Sequence, residues 1–415
     1  MRKIYSGRRP SSNDVFKFSI DPTLTSSTSS ASLDFQLPIT SPTSGGTVAF
    51  LVEWGDGPSD NVNLGSIPIV HTYSGPGTYV VNIYGSLRGW SFGTMALGHD
   101  DACKMLTIAN WGCFKVTNSQ AFRDCTNLTA VTAADIPTFE LATGMVQMFR
   151  DCGNLNVVNN LDNWNIGING SFTGCTQTSE MFRGCGKFNS SNSSTGAQPN
   201  LVGWDSQYLQ STASMFWGCT NFNGKVFKAF SALTITSFMF YNCKSYNNGA
   251  SPALANWDTS NVTNMRGMFY FASTFNQNIS AWDMSSCTDI SRMFAYAGAF
   301  DQPIGVWNTS SVTQAWGCLQ NATSFDQPIS NWNLSNISGN PTVSGWNTPG
   351  GGTLQLSQIN YNALLVAWDA YNYNSVNSGT WNFGNSTYAC PVSAPATAHA
   401  SLVTKWGAIS DGGCT

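Results

Sequence analysis

The clearest hydrophobic pattern lies in "WDTSNVTNMRGMFYFASTFNQNISAW", residues 257–282. Val262, Met265, Met268, Phe269 and Ala272 fall at spacings of three and four, apart from the Met268–Phe269 pair. That spacing predicts one face of a short helix or 3₁₀ turn, with Ser260 or Asn261 as its N-cap. After Phe275, "NISAW" sets Ile279 and Trp282 among polar residues, which predicts a short strand. The pattern then starts again. Trp257, Trp282, Trp307 and Trp332 recur every 25 residues, as do Phe275, Phe300 and Phe325.

Anchoring on "MF" extends this to eight copies, with Phe122, Phe149, Phe182, Phe216, Phe240, Phe269, Phe294 and finally Leu319 at the anchor position. The period of the later copies sits within the ~20–29 residues of leucine-rich repeats. A turn of helix and one strand cannot bury an apolar face alone, whereas stacked copies can, so the pattern predicts a solenoid with a continuous core.

The alignment also explains the cysteines. Three residues after each anchor stand Cys125, Cys152, Cys185, Cys219 and Cys243, then Ala272, Ala297 and Ala322. A column that takes Cys or Ala needs a small buried side chain, and we read these five as a structural ladder of free thiols. None of the 12 cysteines forms a CxxC pair, which leaves zinc and thioredoxin-type motifs without support. Cys390 and Cys414 lie outside the ladder, and the sequence leaves their pairing open. Asp205, Asp258 and Asp283 share a slot with Asn165, Asn308 and Asn333. A position indifferent to Asp or Asn bonds backbone and does not transfer protons.

One column varies where the core columns do not. The residue after the anchor is Arg123, Arg150, Arg183, Trp217, Tyr241 and Tyr270 in successive copies. The ordinary reading is rung-to-rung stacking on a plain surface. The functional reading is a ligand-binding stripe able to stack on sugar rings or hold a planar polar group.

Composition narrows the function classes. Charged residues are only 10% of the 415 and the net charge is −4, which argues against nucleic acid as a partner. Arg2, Lys3, Arg8 and Arg9 crowd the amino terminus, either as a frayed end or as an assembly arm. No apolar h-region follows them, so the expectation is release without the usual export route, or a leader already removed. No run approaches the ~18 apolar residues of a membrane helix. His71, His99 and His399 stand near no nucleophile or metal-ligand pattern, and no phosphate or dinucleotide fingerprint occurs. The expectation is no catalytic residue, no metal and no cofactor. Asp56 and Asp60 near Asn61 have no EF-hand spacing and read as tight-turn residues.

Two further segments complete the chain. Residues 48–54 and 78–84 alternate as strands between "GDG" and "SGPG" turns, which predicts a small antiparallel sandwich. Leu356–Ala370, with Ile359, Leu364, Leu365 and Trp368 at helical spacing, and Ala394–Trp406 predict two helices closing the last rung.

"WGDG…HTYSGPGTYVVNIYG" resembles PKD-like β-sandwich domains, and "WDTSNVTNMRGMF" is similar to the repeat of the BspA-like leucine-rich surface proteins. "LTIANWGCFKVTNSQAFRDCTNL" and the last 60 residues resemble that family's junction and closing cap. The fold class expected is mainly β with short helices: a leucine-rich-repeat-type solenoid preceded by a small β-sandwich and closed by a helical C-terminal cap. The expected divisions are a basic arm and linker over 1–34, a PKD-like β-sandwich over 35–100, about eight repeats over 101–340, and a cap over 341–415. The resemblance implies a non-enzymatic surface binding protein. The basic arm and the charge-poor composition favour a bacteriophage virion component, a fibre, spike or capsid decoration. It would be held by other virion proteins through the arm and would meet a host glycan or receptor. The alternative is a bacterial cell-surface or secreted adhesin; homo-oligomerisation stays open.

Overall fold

A computed structural model of the protein describes residues 14–39, 49–63, 67–94, 100–140, 144–166, 168–169, 172–188, 201–229, 231–247, 252–333, 335–337, 354, 356–370, 379–383, 385–390 and 393–415. The arm residues Arg2, Lys3, Arg8 and Arg9, and His99, lie outside them. Among the described residues the chain is mainly β with two α-helices, and no helix is long and apolar enough to cross a membrane. It divides into two units, Met1–Asp205 and Ser206–Thr415.

In the first unit, the alternation of "VFKFSI" buries Phe16, Phe18 and Ile20 and exposes Lys17, the mark of a strand with one face in a core. These residues form β1 (Val15–Ile20). The later strands are β2 (Asp34–Gln36), β3 (Ala49–Glu53), β4 (Ser59–Asn63), β5 (Val70–Thr72), β6 (Tyr79–Ser86), β7 (Met105–Asn110), β8 (Lys115–Val116), β9 (Ala130–Val131), β10 (Thr138–Phe139) and β11 (Val157–Val158). β1 is the middle strand of a seven-stranded sheet ordered β11-β9-β7-β1-β6-β3-β4. The pairings from β7 to β4 are antiparallel. β9 and β11, from the first two repeat copies, extend the same sheet in parallel beyond β7.

The two-stranded β2–β5 ribbon packs on this sheet through Phe35, 6.0 Å from Phe18, and through His71, which stacks on Trp54 at 4.7 Å. Asp60 accepts the Trp54 indole N–H at 2.7 Å, and Asp56 lies 2.9 Å from His71 Nε2. The two aspartates near Asn61 therefore fasten the ring stack. β8 and β10 pair in parallel, and β12 (Ile168–Asn169) with β13 (Phe172–Thr173) is a short hairpin.

An ion pair with no exposed surface ties the ends of this unit's first layer together. Asp101 and Lys104 meet at 3.0 Å with both side chains 0% exposed. Lys104 Nζ also donates to Ser30 Oγ, the Ala31 carbonyl and the Asp34 carbonyl at 2.8, 3.0 and 2.6 Å. Asp101 in turn accepts from the Ser30 and Gln36 amides at 2.9 and 2.7 Å.

In the second unit each copy is a rung of tight turns. Met268, Tyr270, Ala272 and Phe275 donate to carbonyls three residues back, as a 3₁₀ turn would. No helix propagates, because the residues two before and two after the anchor have positive φ. The strand expected at Ile279 and Trp282 is not formed; that span is irregular chain and turn. The rungs are instead joined by single parallel bridges, Ser211–Ile235–Asn264–Asp289–Gln314. The alternate amides of Met265, Gly267, Phe269 and Phe271 donate to Asp289, Ser291, Met293 and Ala295 carbonyls at 2.8–2.9 Å.

The 25-residue period has a direct cause. Each repeat tryptophan donates its indole N–H to a carbonyl of the preceding rung: Trp257 to Phe227, Trp282 to Leu254, Trp307 to Ile279 and Trp332 to Ile304. The anchor rings of Phe216, Phe240, Phe269 and Phe294 stack face to face at 5.6–5.8 Å. Asp258, Asp283, Asn308 and Asn333 each accept the amide two residues on, which is why the slot takes either residue.

A second ladder shows how α1 (Gln358–Ala370) joins the stack. The Asn276, Asp301 and Asp326 amides donate to the side-chain oxygens of Asn247, Asn276 and Asp301, respectively, in the previous rung. Ser357 and Asn360 make the same two bonds to Asp326 that the next rung's amide and Gln would make. On α1, Tyr361, Leu364, Leu365 and Trp368 are buried, but Ile359 is exposed rather than part of the apolar face. α2 (Ala394–Trp406) follows β14 (Gly379–Asn382), which pairs in parallel with β15 (Gly407–Ser410), and Cys390 is joined to Cys414.

The other ten cysteines are free and buried. Cys152, Cys185 and Cys243 each donate S–H to the preceding rung's anchor carbonyl at 2.9–3.0 Å. Burial pushes Cys175 from 9.0 up to about 11, and Cys287 up to about 12. Above pH 9 the unfolded chain therefore holds fewer thiol protons than the fold, so stability falls as pH rises through this range. The native chain is expected to resist thiol labelling at neutral pH and to label fully once denatured. Prompt labelling of Cys185 in the native chain would contradict the ladder.

Candidate functional site

The varying column lies between two left-handed positions. In every copy but the first, where Gln120 is the exception, the residues two before and two after the anchor have φ between 54° and 78°. Gly184, Gly218, Gly267, Gly317, Asn242 and Asn321 suit such positions, because they carry no Cβ or a short polar side chain. Phe238, Phe271, Arg292 and Tyr296 do not, and each costs roughly 1–2 kcal/mol there. Those four lie in the second unit, on one stripe; in the first unit Gln147 and Glu180 hold the same left-handed conformation at φ 59° and 58°.

In the first unit the column is an ion-pair ladder. Arg123 pairs with Asp124 at 3.2 Å, Arg150 with Asp151 at 3.0 Å and with Glu180 at 2.7 Å, and Arg183 with Glu180 at 3.2 Å. Three guanidiniums face three carboxylates, so the stretch is locally neutral. Burial holds Asp124 above the usual carboxylate range despite Arg123 beside it. Pairs this exposed contribute about 0–1 kcal/mol each.

In the second unit the column is aromatic. Trp217 stacks on Tyr241 at 4.1 Å, and Tyr241 meets Tyr270 edge to face at 5.0 Å. Tyr270 stacks on Phe271 at 4.5 Å, and Phe271 on Tyr296 at 4.5 Å. Phe238 closes the near end, 5.3 Å from Trp217. Its ring lies over Gly267, where an added Cβ would come within 2.4 Å of a ring carbon. Arg266 sits 5.8 Å from the Phe238 ring, and Arg292 lies 5.4 Å from Tyr270 and 3.6 Å from Trp316. All these side chains are half-buried, each with part of its surface in solvent.

The six residues singled out from the sequence thus fall into two groups of different chemistry, Arg123, Arg150 and Arg183 in one unit and Trp217, Tyr241 and Tyr270 in the other. Phe238, Arg266, Arg292 and Trp316 belong to the stripe and were missed. Their signal was an arginine or aromatic residue where sister copies carry Gln, Glu, Ser or Gly (the position of Phe238 and Arg292) or Ser, Val or Ala (the position of Arg266 and Trp316). Cys125, Cys152, Cys185, Cys219 and Cys243 are all fully buried.

Among the described residues no three His, Cys, Asp or Glu side chains converge as a metal site would require. His399 lies 3.1 Å from Asp411 and stacks on Tyr388 at 4.5 Å. Asp411 also accepts the Tyr361 hydroxyl at 2.6 Å, and burial is the main cause that pushes that phenol up.

A family model described as Mycoplasma protein of unknown function, DUF285, matches residues 116–252 and again residues 237–345. No curated protein and no solved structure matches the chain.

Proposed function

Because the chain belongs to the DUF285 family of Mycoplasma proteins of unknown function, we propose that it is a non-enzymatic surface protein whose stacked repeats form a solenoid, covered at one end by the helical segment, that displays a side-chain stripe for attachment. The two family matches fit the BspA-like resemblance of the repeats. The observation that carries the reading is the placement of Phe238, Phe271, Arg292 and Tyr296 at left-handed positions that glycine or asparagine would fill at less cost. Bulky side chains held at a conformational cost, half in solvent, support a role for the stripe itself.

The finer setting is the surface of a bacteriophage particle, with Arg2, Lys3, Arg8 and Arg9 as the arm that docks on other virion proteins. The family's Mycoplasma description favours the second setting, a bacterial cell surface. Quantitative mass spectrometry of purified particles and of cell-envelope fractions separates them. Hundreds of copies per particle are expected for a decoration protein, and a small multiple of three or six for a fibre. Recovery in the envelope alone hands the case to the adhesin. Confinement to the cell interior sinks the surface reading.

A further inference from the structure

The two arginine-bearing stretches differ in how their charge is met. Arg123, Arg150 and Arg183 each face a carboxylate. Arg266 and Arg292 lie over aromatic rings, and among the described residues neither has a carboxylate at ion-pair distance. The Nε–H of each is shut off from solvent without an acceptor. Asp289, the acidic residue nearest in sequence to Arg292, is turned to the Ser291 amide at 2.8 Å. The stripe therefore carries two positive charges that no described carboxylate pairs with, set among a continuous run of rings.

From this we infer that the stripe of the second unit binds a linear polysaccharide carrying negative charge, with sugar rings on the aromatic faces and carboxylate or sulfate groups on Arg266 and Arg292. The inference rests on the attachment reading above and names its ligand class. The C–H face of a pyranose is apolar while its rim is polar, which matches half-exposed Trp and Tyr. A guanidinium meets a carboxylate or sulfate through two parallel hydrogen bonds. The rings form a strip along the rung axis, not a pit, so the ligand is an extended chain. The stacked anchor rings advance 5.6–5.8 Å per rung, close to one sugar unit in such a chain. Single-stranded nucleic acid also stacks on aromatic rings, but it needs a basic groove along its backbone, and two guanidiniums in a chain of net charge −4 do not make one.

The test is titration of the purified full chain with polygalacturonate and with dextran sulfate, each against its neutral counterpart, methyl-esterified polygalacturonate and dextran, read by calorimetry. At least one acidic polymer is expected to bind tenfold or more tightly than its neutral partner. Which one binds identifies the anionic group. Arg266→Gln and Arg292→Gln are each expected to weaken binding about tenfold, and Tyr241→Ser by a similar factor. Since Arg292 packs on Trp316, Arg292→Lys is the companion variant. It keeps the charge, loses the fork, and is expected to fall between wild type and Arg292→Gln. Equal affinity for acidic and neutral polymers, unchanged binding in both Gln variants, tighter binding of an oligothymidylate, or binding of none of the four polymers would overturn the inference. Because the titration uses purified chain, it is independent of where the chain resides, so its failure and failure of the surface reading are separate results.

Discussion

Asp101→Ala is expected to lower the stability of the amino-terminal unit by about 3–5 kcal/mol, among the largest effects of any single truncation in the chain. The reason is what it leaves behind. Lys104 is 0% exposed and cannot reach water, so removing its counter-charge strands an ammonium among three neutral oxygens, Ser30 Oγ, Ala31 O and Asp34 O. It also frees the Ser30 and Gln36 amides that Asp101 holds. Lys104→Met fails for the mirror reason, leaving a buried carboxylate with only neutral donors. The double variant Asp101→Ala/Lys104→Met removes both charges and is expected to be less destabilised than the two single effects added, by about 1–3 kcal/mol. Native-state hydrogen exchange of the peptides spanning 21–39 and 100–110 reads this locally. Wild-type protection of the Gln36 amide in Asp101→Ala would show that the pair does not hold this layer.

The pair also marks where the sequence stops being legible. Nothing in the spacing of "DDACK" shows that a lysine there faces the carbonyls of Ala31 and Asp34, 73 and 70 positions earlier. The same holds for β1. "VFKFSI" announces a strand, yet its place in the middle of the sheet, between β6 and β7, depends on pairings that leave no trace in local alternation. The repeats behave differently, because each side chain meets its own counterpart in the next copy. Trp282 can be paired with Trp257 from spacing alone, and their stacking at 5.9 Å follows. The Cys-or-Ala column and the Asp-or-Asn slot were legible for the same reason. What spacing did not show was the backbone. A helix-like spacing of Val262, Met265, Met268 and Ala272 arises here from turns interrupted by left-handed residues. Only some copies carry the Gly that betrays such a position, so Phe238 and Arg292 passed unread, and with them half of the candidate stripe.

Substitutions at Cys185 are expected to order as Ala, then Ser, then Asp in increasing damage. The side chain is fully buried and its S–H donates to the Phe149 carbonyl at 3.0 Å. Alanine forfeits that weak bond and one sulfur's volume, and the fold already tolerates it, since Ala272, Ala297 and Ala322 fill the same column fully buried. The expected cost is about 1 kcal/mol. Serine can keep the bond to Phe149, but its hydroxyl must be drawn out of water into an apolar column, for about 1–3 kcal/mol. Aspartate is larger, and its neighbour in the column is the thiol of Cys152, whose own ionisation burial already opposes. It must either ionise without a partner or take up a proton, and the expected loss of several kcal/mol opens the rungs anchored on Phe149 and Phe182. Calorimetry of the three variants gives the order, and thiol labelling of Cys152 reports whether the rung has opened. If Ser proves milder than Ala, the bond to Phe149 outweighs the apolar character of the column, and the ladder is held by hydrogen bonding. If Asp melts with wild type, water reaches the column, and the small buried side chain every copy carries there has another cause.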